Sequence, residues 1–344
     1  MYIHKSVCIS PQYSFSEINL EDVVASSDNK LSVIEPKHEY IPLNTLRRMG
    51  KAVRIGVSAS LNLLKDYPAL NGIIMGTANG GMEDCIKFLN QIIDYDEGTL
   101  TPKNFVQSTP NAIATQIGLA PANTGYNITH VYRGLSFENA LLDAQMLTRE
   151  NPKHVYLLGG GDEISTYNFN IEKLAGSYKE EIISNKDLYT TNTKGSIAGE
   201  GVAMFIVNAQ PEGAIAKVKA LKLLHTTDAT EVTEQLQNFL KDNLSSNRQV
   251  DLFLTGENGD SRLNHFYNSC EALLNETAIA RFKHLCGEYP TASSFALWLT
   301  CFILETQNVP QHILKTALNK NSVNTVLIYN NYKGLQHGFI LVEK

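Results

Sequence analysis

The chain has 344 residues, 43% hydrophobic and 19% charged, enough apolar material for a large core or two fused halves. With 29 basic and 35 acidic residues the formal charge is −6, which excludes a broad nucleic-acid footprint, and no apolar run reaches the length of a membrane span. The five cysteines show no CxxC spacing and Met1 to Ser6 lack the apolar run of a signal peptide, so no disulfide framework, zinc site or export is expected and a cytoplasmic location is the default.

Residues 1–43 read as irregular, with short strands at 3–9 and near Ile34. A helix is expected over about 44–65, with Val53, Val57, Leu61 and Leu64 on one stripe. Arg47, Arg48, Lys51 and Arg54 make a local basic patch that either meets an acidic partner or lies on a solvated helix face. Residues 72–75 form a short buried strand ending in Gly-Thr-Ala-Asn-Gly-Gly at 76–81, followed by a helix carrying Met82, Cys85, Ile86, Leu89 and Ile93. Residues 126–132 read as a strand, and Arg133-Gly134-Leu135-Ser136 open a helix through Ala140, Leu142 and Met146. A strand turning sharply into a helix is where enzymes display a nucleophile, because a helix N-terminus favours negative charge and can lower a thiol pKa. This turn displays Tyr132 instead. A further strand at 153–158 ends in Gly159-Gly160-Gly161-Asp162-Glu163, and 201–208 and 214–224 add two more.

The second half echoes the first. A helix at 229–243 precedes a strand at 250–254, which ends in Thr255-Gly256-Glu257-Asn258-Gly259-Asp260 and leads to a helix through Phe266 and Leu273. An apolar helix at 291–305 holds the only tryptophan, Trp298, and strands at 323–329 and 338–343 close the chain. Alternating strands and helices predict α/β layers, and the echo predicts an internal duplication, with halves 1–210 and 211–344 in one compact body. The glycine turns at 76–81 and 159–161 match neither GxxxxGK[ST] nor GxGxxG, so backbone crowding explains them better than a phosphate.

Several segments resemble, in order, the thiolase superfamily and within it the β-ketoacyl synthases. These are the turn at 76–81, Ser108-Thr109-Pro110-Asn111 with Ala114, the elbow from Tyr126 to Ser136, the turn at 159–163, Ala198-Gly199-Glu200-Gly201, and Lys283 with Gly287 ahead of the helix at 291–305. The resemblance implies an α/β fold of duplicated α-β-α-β-α layers with mixed five-stranded sheets, no cofactor and no metal. The family activity is that of a 3-oxoacyl-[acyl-carrier-protein] synthase. It uses a Cys at the elbow to take the acyl chain and two His to hold the malonyl thioester carbonyl, since neutral imidazoles can each donate to a developing enolate.

Carried over position by position, Tyr132 stands in place of the Cys, Asn258 stands at or beside the first His, and Glu288 stands in place of the second, with Lys283 nearby. A phenol cannot replace the thiol and is large enough to fill an acyl cavity; a carboxylate at 288 would repel an enolate. The family's C-terminal glycine-rich gate is replaced by Asn-Asn-Tyr-Lys-Gly-Leu-Gln-His-Gly at 330–338. This pattern resembles the chain-length factors, non-catalytic subunits that pair with an active ketosynthase. It implies a heterodimer with such a ketosynthase, or a homodimer, with an acyl carrier protein as a further contact, in polyketide, polyene or fatty-acid-like biosynthesis.

In that superfamily elbow strands align across a two-fold axis. Tyr126, Ile128 and His130 are therefore candidate interface residues, and Phe105, Thr109, Pro110 and Asn111 are candidates for lining a partner's acyl channel; the plainer alternative for the latter is a loop capped by Asn111. Two other readings stay open. One is an acyltransferase or thioesterase with relocated chemistry at Cys286 or His130, each of which otherwise reads as an ordinary core residue. The other is a homodimeric acyl-binding scaffold.

Overall fold

The computed structural model describes residues 1–119, 123–245 and 249–344. Five strands come from the first half: β1 (Tyr2–Ile9), β2 (Gly72–Gly76), β3 (Tyr126–His130), β4 (Tyr156–Asp162) and β5 (Gly201–Asn208). Five come from the second: β6 (Ala216–His225), β7 (Leu252–Thr255), β8 (Ala278–Arg281), β9 (Thr325–Tyr332) and β10 (Gln336–Glu343). They hydrogen-bond in the order β8-β7-β9-β10-β6-β1-β5-β4-β2-β3. Counted outward from the centre, each half runs first, fifth, fourth, second, third strand. In both halves the two inner pairings are antiparallel and the two outer ones parallel. The duplication suggested by one short echo is thus repeated strand by strand. The two mixed five-stranded sheets are joined at the centre by a brief antiparallel pairing of Tyr2 and Ile3 with Lys217 and Ala216.

The helices used below are α1 (Lys51–Leu64), α2 (Met82–Asp94), α3 (Pro102–Gln107), α4 (Ala112–Leu119), α5 (Ser136–Glu150), α6 (Thr166–Leu174), α7 (Ala229–Asn243), α8 (Asn264–Glu271) and α9 (Ser293–Thr306). Strand side chains alternate between faces, which sorts the core into layers. Ile74, Leu158 and Phe205 of the first half meet Leu254, Ile328 and Ile340 of the second in a central core with α5 and α9. Their neighbours Ile73, Leu157 and Ile206 face outward to α1 and α4, while Phe253, Leu327 and Leu341 face outward to α7 and α8. Helix α9 lies in the middle and is apolar nearly all round, with Phe295, Leu297, Trp298, Leu299, Ile303 and Leu304 buried, as a helix packed on every side must be.

Several elements differ from expectation. The helix expected over 44–65 is a one-turn helix at Leu43–Leu46 and a separate α1, with Gly50 in extended conformation as the N-cap of α1. Ile34 lies outside any strand; the short strand nearby is Lys30–Leu31, paired with Ala198–Gly199. The run Gly159–Gly161 is strand rather than turn, because β2 and β5 both pair along it. Residues 105–107, for which a plain loop is the alternative to a channel lining, belong to α3, with a turn over 108–111. Helices α3, α4 and α6 and strand β8 went unforeseen; they are too short to establish a period.

Gly76 ends β2 against the start of α5. A Cβ there would lie 2.5 Å from the Ser136 carbonyl oxygen and 2.6 Å from the Phe137 Cα, both backbone atoms that cannot swing aside. Gly76→Ala is expected to destabilise the fold by about 3 kcal/mol, read as a lower urea midpoint at unchanged slope.

Candidate functional site

The elbow begins where β3 stops. The ladder to β2 ends at the Gly76–His130 pair, so Val131 and Tyr132, expected to continue the strand, already lie in the turn. Arg133 has φ +51°, a left-handed conformation that non-glycine residues rarely adopt and one way a chain turns sharply from strand to helix. The Tyr132 amide donates to Ser136 Oγ at 2.7 Å, and that hydroxyl donates to the Arg133 carbonyl at 2.8 Å. From the C-terminal hairpin, Gln336 Oε1 accepts from the Gly134 amide at 2.9 Å. The Tyr132 side chain is 50% exposed. The ring packed against the elbow is that of the half-buried Tyr332, whose Cβ would lie 2.2 Å from a Cβ placed on Gly134.

Asn258 and Glu288 do meet. Asn258 Nδ2 donates to Glu288 Oε2 at 2.7 Å, and Lys283 Nζ donates to Glu288 Oε1 at 2.9 Å. The Lys283 side chain is wholly buried, and that carboxylate is its ion-pair partner. Asn258 is held by its Oδ1, which accepts from the Asp260 amide, and by its carbonyl, which accepts from Ser196 Oγ. Asn258, Asp260 and Glu288 line a cleft of about 350 Å³ together with Glu172, Tyr178, Tyr332 and Lys333, while Lys283 lies buried behind Glu288. Lys333 Nζ pairs with Glu172 at 2.7 Å across the mouth. Tyr132 is not among the lining residues, so only two of the three catalytic positions inferred from the resemblance share a cleft. Chemically, the cleft offers the Asn258 amide and a Glu288 carboxylate neutralised from behind by Lys283, with no thiol and no imidazole among its lining residues.

The recurring turns are scaffolding. Asp162 accepts from Thr77 Oγ1, the Ala78 and Asn79 amides and Thr291 Oγ1, tying both halves together at one buried carboxylate. Glu163 accepts from the Ala52 and Glu83 amides, at the start of α1 and α2, and burial pushes its carboxyl up to about 7. Glu200 binds Lys51 at 2.9 Å.

Strand β3 ends the sheet and has one free edge. Tyr126 and Ile128 are exposed there, and Leu142 and Met146 are exposed on the adjoining α5. His130 Nε2 lies 2.9 Å from Asp143 Oδ2, which also accepts from the Tyr126 hydroxyl. Burial, together with that carboxylate, pushes the Tyr126 phenol up to about 12. Phe105 is exposed on α3 beside Phe88, at 5.5 Å between ring centroids. Thr109 Oγ1 donates to Asn111 Oδ1, and Pro110 packs against Gly80. Cys286 is fully buried, and burial pushes its thiol up and away from ionisation. Among the described residues no group of three or more His, Cys, Asp or Glu is placed to hold a metal, and no helix is long and apolar enough to cross a membrane.

Sequence reasoning missed Glu138. It is fully buried on α5, neither carboxylate oxygen has a hydrogen-bond partner, and Gly338 packs on it. Burial pushes its carboxyl up to about 7; the nearby Ser293 hydroxyl and Lys283 charge pull it down by less. The folded state therefore holds a proton that the unfolded chain loses from the ordinary value of 4.5 upward. Stability contributed by that proton is full below 4.5, falls as pH rises to about 7, and then levels. Glu138→Gln abolishes this dependence. Its stability relative to the parent chain is expected to improve by on the order of 3 kcal/mol between pH 4.5 and pH 8, read from urea melts at the two pH values.

Residues 24–173 match the family described as Beta-ketoacyl synthase, N-terminal domain. A β-ketoacyl synthase from Burkholderia phymatum STM815 superposes with a TM-score of 0.80 at 14% identity, covering 100% of this chain and 98% of that one. The ishigamide ketosynthase/chain length factor gives 0.78 at 14% identity, covering 100% and 98%. The ketosynthase ApeO in complex with its chain length factor ApeC from Xenorhabdus doucetiae gives 0.74 at 12% identity, covering 99% and 97%. No curated protein matches the sequence significantly. The fold is that of the thiolase-like ketosynthases.

Proposed function

We propose that this chain is a ketosynthase-like subunit that does not condense acyl chains alone and pairs with a catalytically complete ketosynthase, as a chain-length factor does. The observation that carries this reading is the Lys283–Glu288–Asn258 cluster: at the two positions where the resemblance places imidazoles, Asn258 and Glu288 bond each other, and the buried Lys283 neutralises the carboxylate. The Tyr132 amide, which an acyl carbonyl at this elbow would need as a donor, is already given to Ser136. Solved neighbours include complexes of a ketosynthase with its chain length factor and of a ketosynthase with an acyl-carrier protein, which supports the same partners here. The pair would act in the cytoplasm on polyketide, polyene or fatty-acid-like chains, and this subunit, as two fused halves divided near residue 210, would help to shape the acyl channel. The free edge of β3 carries the contact, and Phe105 and the turn at 108–111 reach the partner's channel. The buried Cys286 thiol weighs against relocated thiol chemistry.

The test is co-expression with a ketosynthase from the same genome whose Cys and both His are intact. A stable one-to-one complex is expected, whereas the lone chain given malonyl- and acyl-carrier protein releases no carbon dioxide. Robust condensation by the lone chain would overturn the reading. Tyr132→Cys is expected to remain inactive in the same assay, since positions 258 and 288 still lack imidazoles; recovery of condensation would show that the elbow alone limits catalysis.

A further inference from the structure

Away from the cleft, three side chains form a chain of hydrogen bonds. Ser58 Oγ lies 2.5 Å from His38 Nδ1, and His38 Nε2 lies 3.0 Å from Glu35 Oε2. Arg54 grips the same carboxylate through Nε at 2.6 Å and Nη2 at 2.7 Å. Burial pushes the Glu35 carboxyl up, but Arg54, aided by His38, outweighs it and holds it below the ordinary carboxylate range. An ionised Glu35 accepts the Nε2 proton, which leaves Nδ1 free to accept from the Ser58 hydroxyl. Ser60, two residues along α1, gives its hydroxyl to the Gly56 carbonyl at 2.8 Å, a common fate of a helical serine. Ser58 bonds His38 instead. His38 is itself held at φ +50°, a conformation rare outside glycine and frequent at functional sites.

The three residues border a cavity of about 420 Å³ whose other walls include Phe15, Tyr40 and Ile41. Asn62 lines it too, one turn after Ser58 and so on the same face of α1. Its amide makes no hydrogen bond to any described residue and is free to donate into the cavity. The arrangement supplies a hydroxyl, a base, a group that orients the base, a side-chain donor for an oxyanion and a recess of ligand size with mixed polar and apolar walls.

We propose that Ser58, His38 and Glu35 form a nucleophile–base–acid relay that hydrolyses small acyl esters or thioesters. The Ser58 proton passes to His38 Nδ1 as Oγ bonds to the acyl carbonyl carbon, and Asn62 donates to the oxyanion. The carbon–sulfur or carbon–oxygen bond breaks, and the leaving thiol or alcohol takes the proton from His38. Water then gives a proton to His38 and attacks the acyl-serine. The carbon–Oγ bond breaks, Oγ recovers the proton, and a carboxylic acid departs. The proposal is independent of the ketosynthase-like reading, because the two sites share no lining residue.

The purified full chain should be treated with an alkyl fluorophosphonate and mapped by peptide mass, and its hydrolysis of p-nitrophenyl butyrate and of a butyryl thioester of N-acetylcysteamine measured. One adduct at Ser58 is expected. Ser58→Ala should lose it and slow hydrolysis by about 100-fold or more, and His38→Gln should slow it comparably. Ser58→Cys should still form an acyl adduct at position 58 with the thioester. No adduct at Ser58 in the parent chain, or undiminished hydrolysis in Ser58→Ala, overturns the proposal. Should a variant melt early, the adduct map of the parent chain decides alone.

Discussion

Lys283→Met should destabilise the protein by about 3–5 kcal/mol, the cost of removing one partner from a buried pair. Lys283 is wholly buried and Glu288 partly so, and the carboxylate would keep only the Asn258 amide as a direct partner among the described residues. Glu138, which feels the same lysine charge, would hold its proton more firmly still. Adding Glu288→Gln to Lys283→Met removes the stranded charge and should return a large part of the lost stability. Urea melts of the parent chain, both single variants and the double variant form a cycle that reads the coupling directly. If the two single losses simply add, the pair is decorative and the cleft is held by its other contacts. If they couple strongly, the cluster occupying the inferred imidazole positions is also a structural fastening.

The second large effect concerns assembly. Ile128→Lys together with Met146→Lys should weaken pairing by about 100-fold or more, since both apolar side chains face outward from the free edge of the sheet and its adjoining helix. Both are exposed in the single chain, so its own stability should move by only about 0.5 kcal/mol for each. Elution volume across a dilution series, alone and with a ketosynthase, separates the outcomes. A complex that survives both substitutions would place the contact on another face. A chain that unfolds would show that the edge supports the fold itself.

Local periodicity was legible in the sequence where it ran long enough. The helix over 229–243 and the strand over 201–208 end where their patterns end. The short apolar run at 72–75, read as a buried strand, is buried on both faces, with Ile74 in the central core and Ile73 against the outer helices. The apolar helix read at 291–305 is present as Ser293–Thr306, and the packing around it decided that it lies at the centre. The glycine turns also kept their place in the frame, though Asp162, Glu163 and Glu200 make them fastenings. Short elements such as β8 and α3 carry too few residues to show a period, and they emerged only when neighbouring strands and helices paired with them.

The sequence by itself determined the duplicated layered frame and the residues standing at its three inferred catalytic positions. Only the tertiary structure decided what those residues do. It turned Tyr132 outward and set Tyr332, two hundred positions later in the chain, against Gly134. It bonded Asn258 directly to Glu288, set a buried lysine on the other carboxylate oxygen, and brought Ser58 to His38 across a break between helices. The reason is physical. Element type follows from repeating local preference along a few turns or strands, whereas the direction of a side chain at a turn depends on which distant element occupies the same space, and no neighbour in the chain records that.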